Sequence, residues 1–187
     1  MNASLGQLDG FEPVAGDLSG RPLVSLLILA VMLTTAVYHE VRENRIPNWL
    51  TYTGMALGLG LAAVSGRPAL FSSVGGLAIG FGFLFVFFLF GGVGGGDVKL
   101  MGAAGALMGF SLIQPAVVFT AVLGGILAVL TLIWHRDFWG YLSQRLRFWR
   151  KASASGSVEV PTPCIVVPYG LAIAAGCLLA VSLRGIS

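Results

Sequence analysis

Long apolar runs alternate with short polar breaks along this chain, and the spacing predicts a series of membrane helices. The runs cover residues 22–38, 49–65, 70–90, 98–110, 113–134 and 166–183. A spanning helix needs about 20 apolar residues, within a range of about 17 to 25. Pro22 suits a helix start. The stretch "SGRP" closes the second run, and the glycine-rich "GGVGGG" separates the third from the fourth. The fourth run is short for a span, so its ends are expected to be shielded by neighbours or by local thinning of the bilayer. Residues 135–160 are polar and basic, and "WGYLSQRLRFWRK" within them is amphipathic enough to lie at the membrane interface. The fold class read from this pattern is all-α: a polytopic membrane protein with about six transmembrane helices in one bundle.

Composition removes the main competitor, a soluble domain. Only 10% of the 187 residues are charged and 56% are hydrophobic, whereas soluble domains carry roughly 25% charged residues. Residues 1–21 contain Asp9, Glu12 and Asp17 and no basic residue before Arg21. A signal peptide needs a basic segment ahead of its apolar stretch, so 1–21 reads as an acidic N-terminal tail and the first helix as retained. Residues 22–187 then form a single transmembrane domain with a basic loop at 135–163. Cys164 and Cys177 have neither zinc-ligand nor disulfide-framework spacing; Cys177 reads as a small buried apolar residue, and Cys164 as a plain thiol near a helix start. No metal and no cofactor are expected.

The distribution of charge orients the bundle. With six spans, the odd-numbered loops share one side and carry Arg42, Arg45, Lys99, Arg136, Arg145, Arg147, Arg150 and Lys151, eight of the eleven basic residues. Lys and Arg collect on the cytoplasmic side, so both termini should face outward. Most glycines inside the runs, as in "GMALGLGLAA" and "GGLAIGFGF", are expected to do no more than let helices approach closely in lipid.

Two carboxylates stand out at the cytoplasmic edge. Asp97 follows the run from Gly91 to Gly96, which contains five glycines. Its plain structural explanation is a helix N-cap, but a cap needs only one turn, and the extra glycines leave room for an extended peptide near the carboxylate. Glu40 ends the first run in "HEVRENRIPN", where a solvated helix end explains it adequately. Taken together, two carboxylates leave helix ends on one membrane face. If packing brings them together, they would share one proton, since neighbouring like charges do not both ionise easily. The neutral acid then polarises a peptide carbonyl while the ionised one activates water. His39 and His135 read as interfacial residues.

The segment "GGGDVKLMGAAG" resembles the GxGD motif of the type IV prepilin peptidases, "RENRIPNWLT" resembles the segment after that family's other catalytic aspartate, and "VPYGLAIAAG" is similar to the opening of its final helix. The resemblance implies a membrane aspartyl peptidase of the short, peptidase-only form that serves tight-adherence (Flp/Tad) pili, without the methyltransferase activity of longer members. It implies Glu40 and Asp97 as the catalytic pair, with Gly94, Gly96, Lys99, Arg45, Pro47 and Asn48 forming the active-site loops. Arg45, Pro47 and Asn48 would shape the start of the second helix. Lys99 is placed either to tune Asp97 or to anchor at the interface. The implied substrate is a prepilin with a short basic leader and a hydrophobic helix, cut at the cytoplasmic face of the bacterial inner membrane. The bilayer is the other partner, self-association is left open, and no nucleic acid is expected.

One position departs from that pattern: Glu40 stands where the family has aspartate. The extra methylene moves the carboxylate by more than about an ångström, and a misplacement of about 1 Å can cost about a hundredfold in rate. Two alternatives therefore stay open. One is an inactive homologue that binds prepilins without cutting them. The other is a small ion- or proton-coupled transporter subunit, since broken glycine-rich segments beside carboxylates also occur there. Transporter sites lie near the bilayer midplane, however, and neither acid does on this reading.

Overall fold

A computed structural model of the chain describes residues 23–89, 92–134 and 169–184. The acidic tail, the basic loop, His135 and Cys164 lie outside the described residues. Those that are described form five helices and are otherwise short connections: α1 (Leu23–Glu43), α2 (Asn48–Val64), α3 (Arg67–Leu89), α4 (Gly95–Trp134) and α5 (Tyr169–Arg184). By length and composition, three stretches suit a membrane crossing: α1, α3 and Gly95–Leu130 within α4. Helix α2 has 17 residues, and the apolar part of α5 is shorter still. Most large side chains on the outer faces are apolar, among them Leu27, Val31, Phe71, Phe85, Val118 and Val122. An apolar exterior around a packed interior is what a lipid solvent requires.

Helix α1 runs five residues past Tyr38, where the apolar run was expected to stop. "HEVRE" contains no glycine or proline, so nothing local ends the helix there. It ends at Asn44, whose φ of 51° is left-handed and whose N–H donates to the Glu40 carbonyl at 2.9 Å. Asparagine tolerates that conformation better than most side chains. Pro47 then stands at the N-cap of α2, so α1 and α2 are joined by a tight link.

The fourth and fifth apolar runs are two arms of α4. The break falls at Gly109 (φ 71°, ψ 178°), with no linker between the arms. Gly80 of α3 lies against Met101 of the first arm and against Ile113 of the second. Gly76 lies against both Gly105 and Gly109. The second arm therefore runs back alongside the first. A side chain at Gly76 or Gly105 would collide with the facing backbone, and that is how α3 and α4 come so close.

Breaking a helix inside an apolar bundle frees backbone polar groups that lipid cannot satisfy. Two adjacent serines of α3 each take up one of them. The buried Ser73 hydroxyl donates to the Ala106 carbonyl at 2.5 Å, and Ser72 Oγ accepts the Phe110 N–H at 3.2 Å. Around this junction sits the core, with Leu100, Met101, Leu107, Met108 and Ile113 fully enclosed. Cys177 of α5 is a free thiol buried in the same core.

Candidate active site

Glu40 belongs to the inward stripe of α1. The buried positions of that helix are Ser25, Leu29, Met32, Leu33, Ala36 and Glu40, the three- and four-residue spacing of one helical face. The carboxylate thus occupies what would otherwise be a core position. Glu40 is 5% exposed, whereas the Glu43 side chain one turn on is 61% exposed and pairs with His39 at 3.3 Å. The solvated helix end expected of "HEVRENRIPN" describes Glu43 and not Glu40. Position on the stripe makes the difference.

Two sides of the Glu40 carboxylate are treated differently. Oε1 accepts the Gly170 N–H at 3.0 Å, at the first turn of α5, and the Leu171 N–H also faces the group. Oε2 is buried and has no hydrogen-bond partner among the described residues. A Cβ at position 170 would stand 2.5 Å from Oε2, so a side chain there would push the carboxylate from this position.

Asp97 is 7% exposed and lies inside the first turn of α4 rather than at its N-cap. Helix α4 already starts at Gly95, so the last glycines of the break are helical. Asp97 Oδ2 accepts the Gly94 N–H at 3.2 Å, while the Asp97 and Val98 N–H groups donate to the Gly94 carbonyl at 3.1 and 3.3 Å. This is one half of a capping box, with the side chain of the third helical residue reaching back to the cap N–H, while Gly94 has no side chain to return the bond. The charge of Glu40 acts on Asp97, and that of Asp97 acts on Tyr169. Three helices, α1, α4 and α5, therefore converge on one cluster.

The local geometry accounts for glycines on either side of an open position. A Cβ on Gly94 would lie 3.0 Å from Asp97 Oδ2, and one on Gly96 would lie 3.2 Å from the Cβ of Ile46. At Gly95 the nearest neighbour would be the Phe88 ring at 3.6 Å, an ordinary contact. Gly94 makes room for the carboxylate, and Gly96 lets the link between α1 and α2 pack against α4.

The remaining expected residues sit around this cluster. Lys99 Nζ donates to Asn48 Oδ1 at 2.9 Å and lies 5.3 Å from the centre of the Tyr52 ring. Among the described residues no ion pair joins Lys99 to Asp97, and two steps along a helix place the two on divergent sides. Lys99 thus fastens the start of α4 to the start of α2. Pro47 caps α2, and Arg45 is exposed in the link. Among the described residues no third His, Cys, Asp or Glu joins Glu40 and Asp97 in a potential metal-binding group. Sequence reasoning missed Ile46, Tyr52, Tyr169 and Gly170. The stretch "VPYGLAIAAG" was visible, but nothing in it announces that its first helical turn meets a carboxylate 130 residues earlier.

The sequence model of one known family, described as the type IV leader peptidase family, matches residues 27–129. That stretch carries both carboxylates and ends before Tyr169 and Gly170. Nothing matches among curated proteins or among solved structures.

Proposed function

Because the chain belongs to the type IV leader peptidase family, we propose that it is an aspartyl-type membrane endopeptidase with Glu40 and Asp97 as its catalytic pair. Its substrate is a Flp-like type IV prepilin, from which it removes the short basic leader. The observation that carries this reading is the convergence of two buried carboxylates, from α1 and α4, at one end of an apolar bundle. Buried charges are costly in such surroundings and mark function by default.

On this reading both arms of α4 cross the membrane, as do α1, α2, α3 and α5, giving six passes. The carboxylate end, which also carries Arg42, Arg45 and Lys99, faces the cytoplasm by the excess of basic residues there. The membrane is the bacterial inner membrane, and both termini lie outside. The Oε2 of Glu40 supports the chemistry, since it is a buried acceptor with no hydrogen-bond partner among the described residues.

The reaction needs one proton on the pair. The ionised carboxylate takes a proton from water as the water oxygen attacks the scissile carbonyl carbon. The protonated carboxyl gives its proton to the carbonyl oxygen, forming a tetrahedral diol. When that collapses, the C–N bond breaks, the leaving nitrogen takes a proton from one carboxyl, and a diol hydroxyl returns a proton to the other carboxylate, restoring the singly protonated pair. General acid–base catalysis of this kind contributes typically 10²- to 10⁴-fold.

A second reading, an inactive homologue that binds prepilins, is favoured by one observation, the glutamate at position 40. Mass spectrometry of a Flp-type prepilin incubated with the protein in liposomes separates the two. The peptidase reading expects cleavage by the parent chain and by Glu40→Asp, with none by Asp97→Asn. Cleavage by Glu40→Asp alone would establish a disabled peptidase. Absence of cleavage in all three would overturn the proposal.

A further inference from the structure

We propose that Gly170 is a positioning residue for Glu40, and that the start of α5 is what allows a glutamate to serve where the family pattern has an aspartate. The inference rests on the peptidase reading above and adds a component outside the matched stretch 27–129.

A glutamate side chain has one more rotatable bond than aspartate, and a catalytic group must be held within about 0.5 Å of its productive place. Something has to remove that extra freedom. The Gly170 N–H bonds Oε1 at 3.0 Å, and the adjacent Leu171 N–H faces the same carboxylate. These are donors of a helix's first turn, which have no partner within their own helix. They bind an anion by their orientation and by the positive end of the helix dipole. With Oε1 anchored, Oε2 is left as the free oxygen, buried and unpartnered among the described residues. The missing side chain of Gly170 is part of the device, because a Cβ would come within 2.5 Å of Oε2.

Helix α5 is itself well placed to act as a fixed support. Gly176 fits against Thr120 and the Ala116 carbonyl, while the Tyr169 ring packs over Gly124, all on the second arm of α4. Ile173 and Cys177 are completely buried. The anchor for Glu40 is therefore tied to the same helix whose first arm carries Asp97. Movement of the Glu40 carboxylate away from this place would break the Gly170 bond or shift α5 against α4.

The test is a double-mutant cycle in cleavage rate, with thermal unfolding in detergent recorded for every variant. Gly170→Ala in the parent should lower kcat at least tenfold with little change in KM, because the Cβ displaces the carboxylate and leaves the substrate surfaces intact. In the Glu40→Asp background, the carboxylate is one methylene shorter and leaves room for the alanine. There the same substitution should change kcat less than about threefold. Equal losses in the two backgrounds would mean that alanine merely disturbs helix packing, and would overturn the proposal. So would an unchanged kcat in Gly170→Ala. If the parent does not cleave, the peptidase reading falls and the positioning role falls with it. An active parent with additive effects removes the positioning role alone.

Discussion

Both the break at Gly109 and the carboxylate cluster at the opposite end of the first arm of α4 put polar groups into apolar surroundings, and the two are finished differently. At Gly109 two of the freed groups are matched by side chains: Ser73 takes the Ala106 carbonyl and Ser72 takes the Phe110 N–H. At the cluster, one oxygen of Glu40 and one of Asp97 are held by backbone N–H groups, and Glu40 Oε2 has no partner among the described residues. A buried polar group without a partner costs about 1–3 kcal/mol. The first site is bonded within the bundle, and the second includes an acceptor with no partner among the described residues. The contrast is between polar groups matched inside the bundle and a carboxylate oxygen that, among the described residues, is not.

The largest expected effect comes from Asp97→Asn. It keeps the shape of the side chain and the acceptor for the Gly94 N–H, so the thermal midpoint should stay within a few degrees of the parent. Cleavage should fall by about 10³-fold, roughly 4 kcal/mol of barrier. A large loss of stability with cleavage retained would place Asp97 among the structural groups and erase the contrast.

Next is Gly76→Leu, aimed at the other end. The side chain would meet the backbone of Gly105 and Gly109 directly, and overpacking against rigid backbone should cost about 3 kcal/mol. The expected readout is a lower midpoint of unfolding in detergent, or no recoverable folded protein. An unchanged midpoint would show that α3 and α4 do not depend on this close approach.

Ser73→Ala should cost less, about 1 kcal/mol, by leaving the Ala106 carbonyl without its hydroxyl partner. Its turnover per folded molecule should match the parent, because the serine lies at the far end of the first arm from Asp97. Altered turnover at unchanged stability would couple the two ends. The smallest effect is expected of Lys99→Met, which removes the bond to Asn48 and the contact with Tyr52. Both partners are exposed, and such contacts contribute about 0–1 kcal/mol. Cleavage should change less than about threefold. A tenfold loss would mean that Lys99 acts on the chemistry rather than on the joint between α2 and α4.

Much of the architecture could be read along the chain because lipid imposes a strong local rule. Every span must be apolar and helical, so the apolar runs appear as helices or helix arms. The breaks also occur close to where glycine and proline put them. The candidate pair was legible for the same reason, since Asp97 and Glu40 stand out against so few charges. What local pattern misjudged was the status of each residue at its helix end. Asp97 looked like a cap and lies within the first turn. Glu40 looked solvated and is buried, although its register with Leu29, Met32, Leu33 and Ala36 on one stripe of α1 was available as a signal.

By itself, then, the sequence determined the all-helical class, the order of the apolar segments, the family and the two carboxylates. These depend on composition and on spacings of a few residues, over which the chain is its own context. Only the tertiary structure decided that α4 doubles back at Gly109 beneath Ser72 and Ser73, that Lys99 reaches Asn48, and that Gly170 holds Glu40. Each of these joins positions 30 to 130 residues apart. Their partners are chosen by how helix faces pack, and hydrophobic pattern specifies that a face is buried without specifying against what.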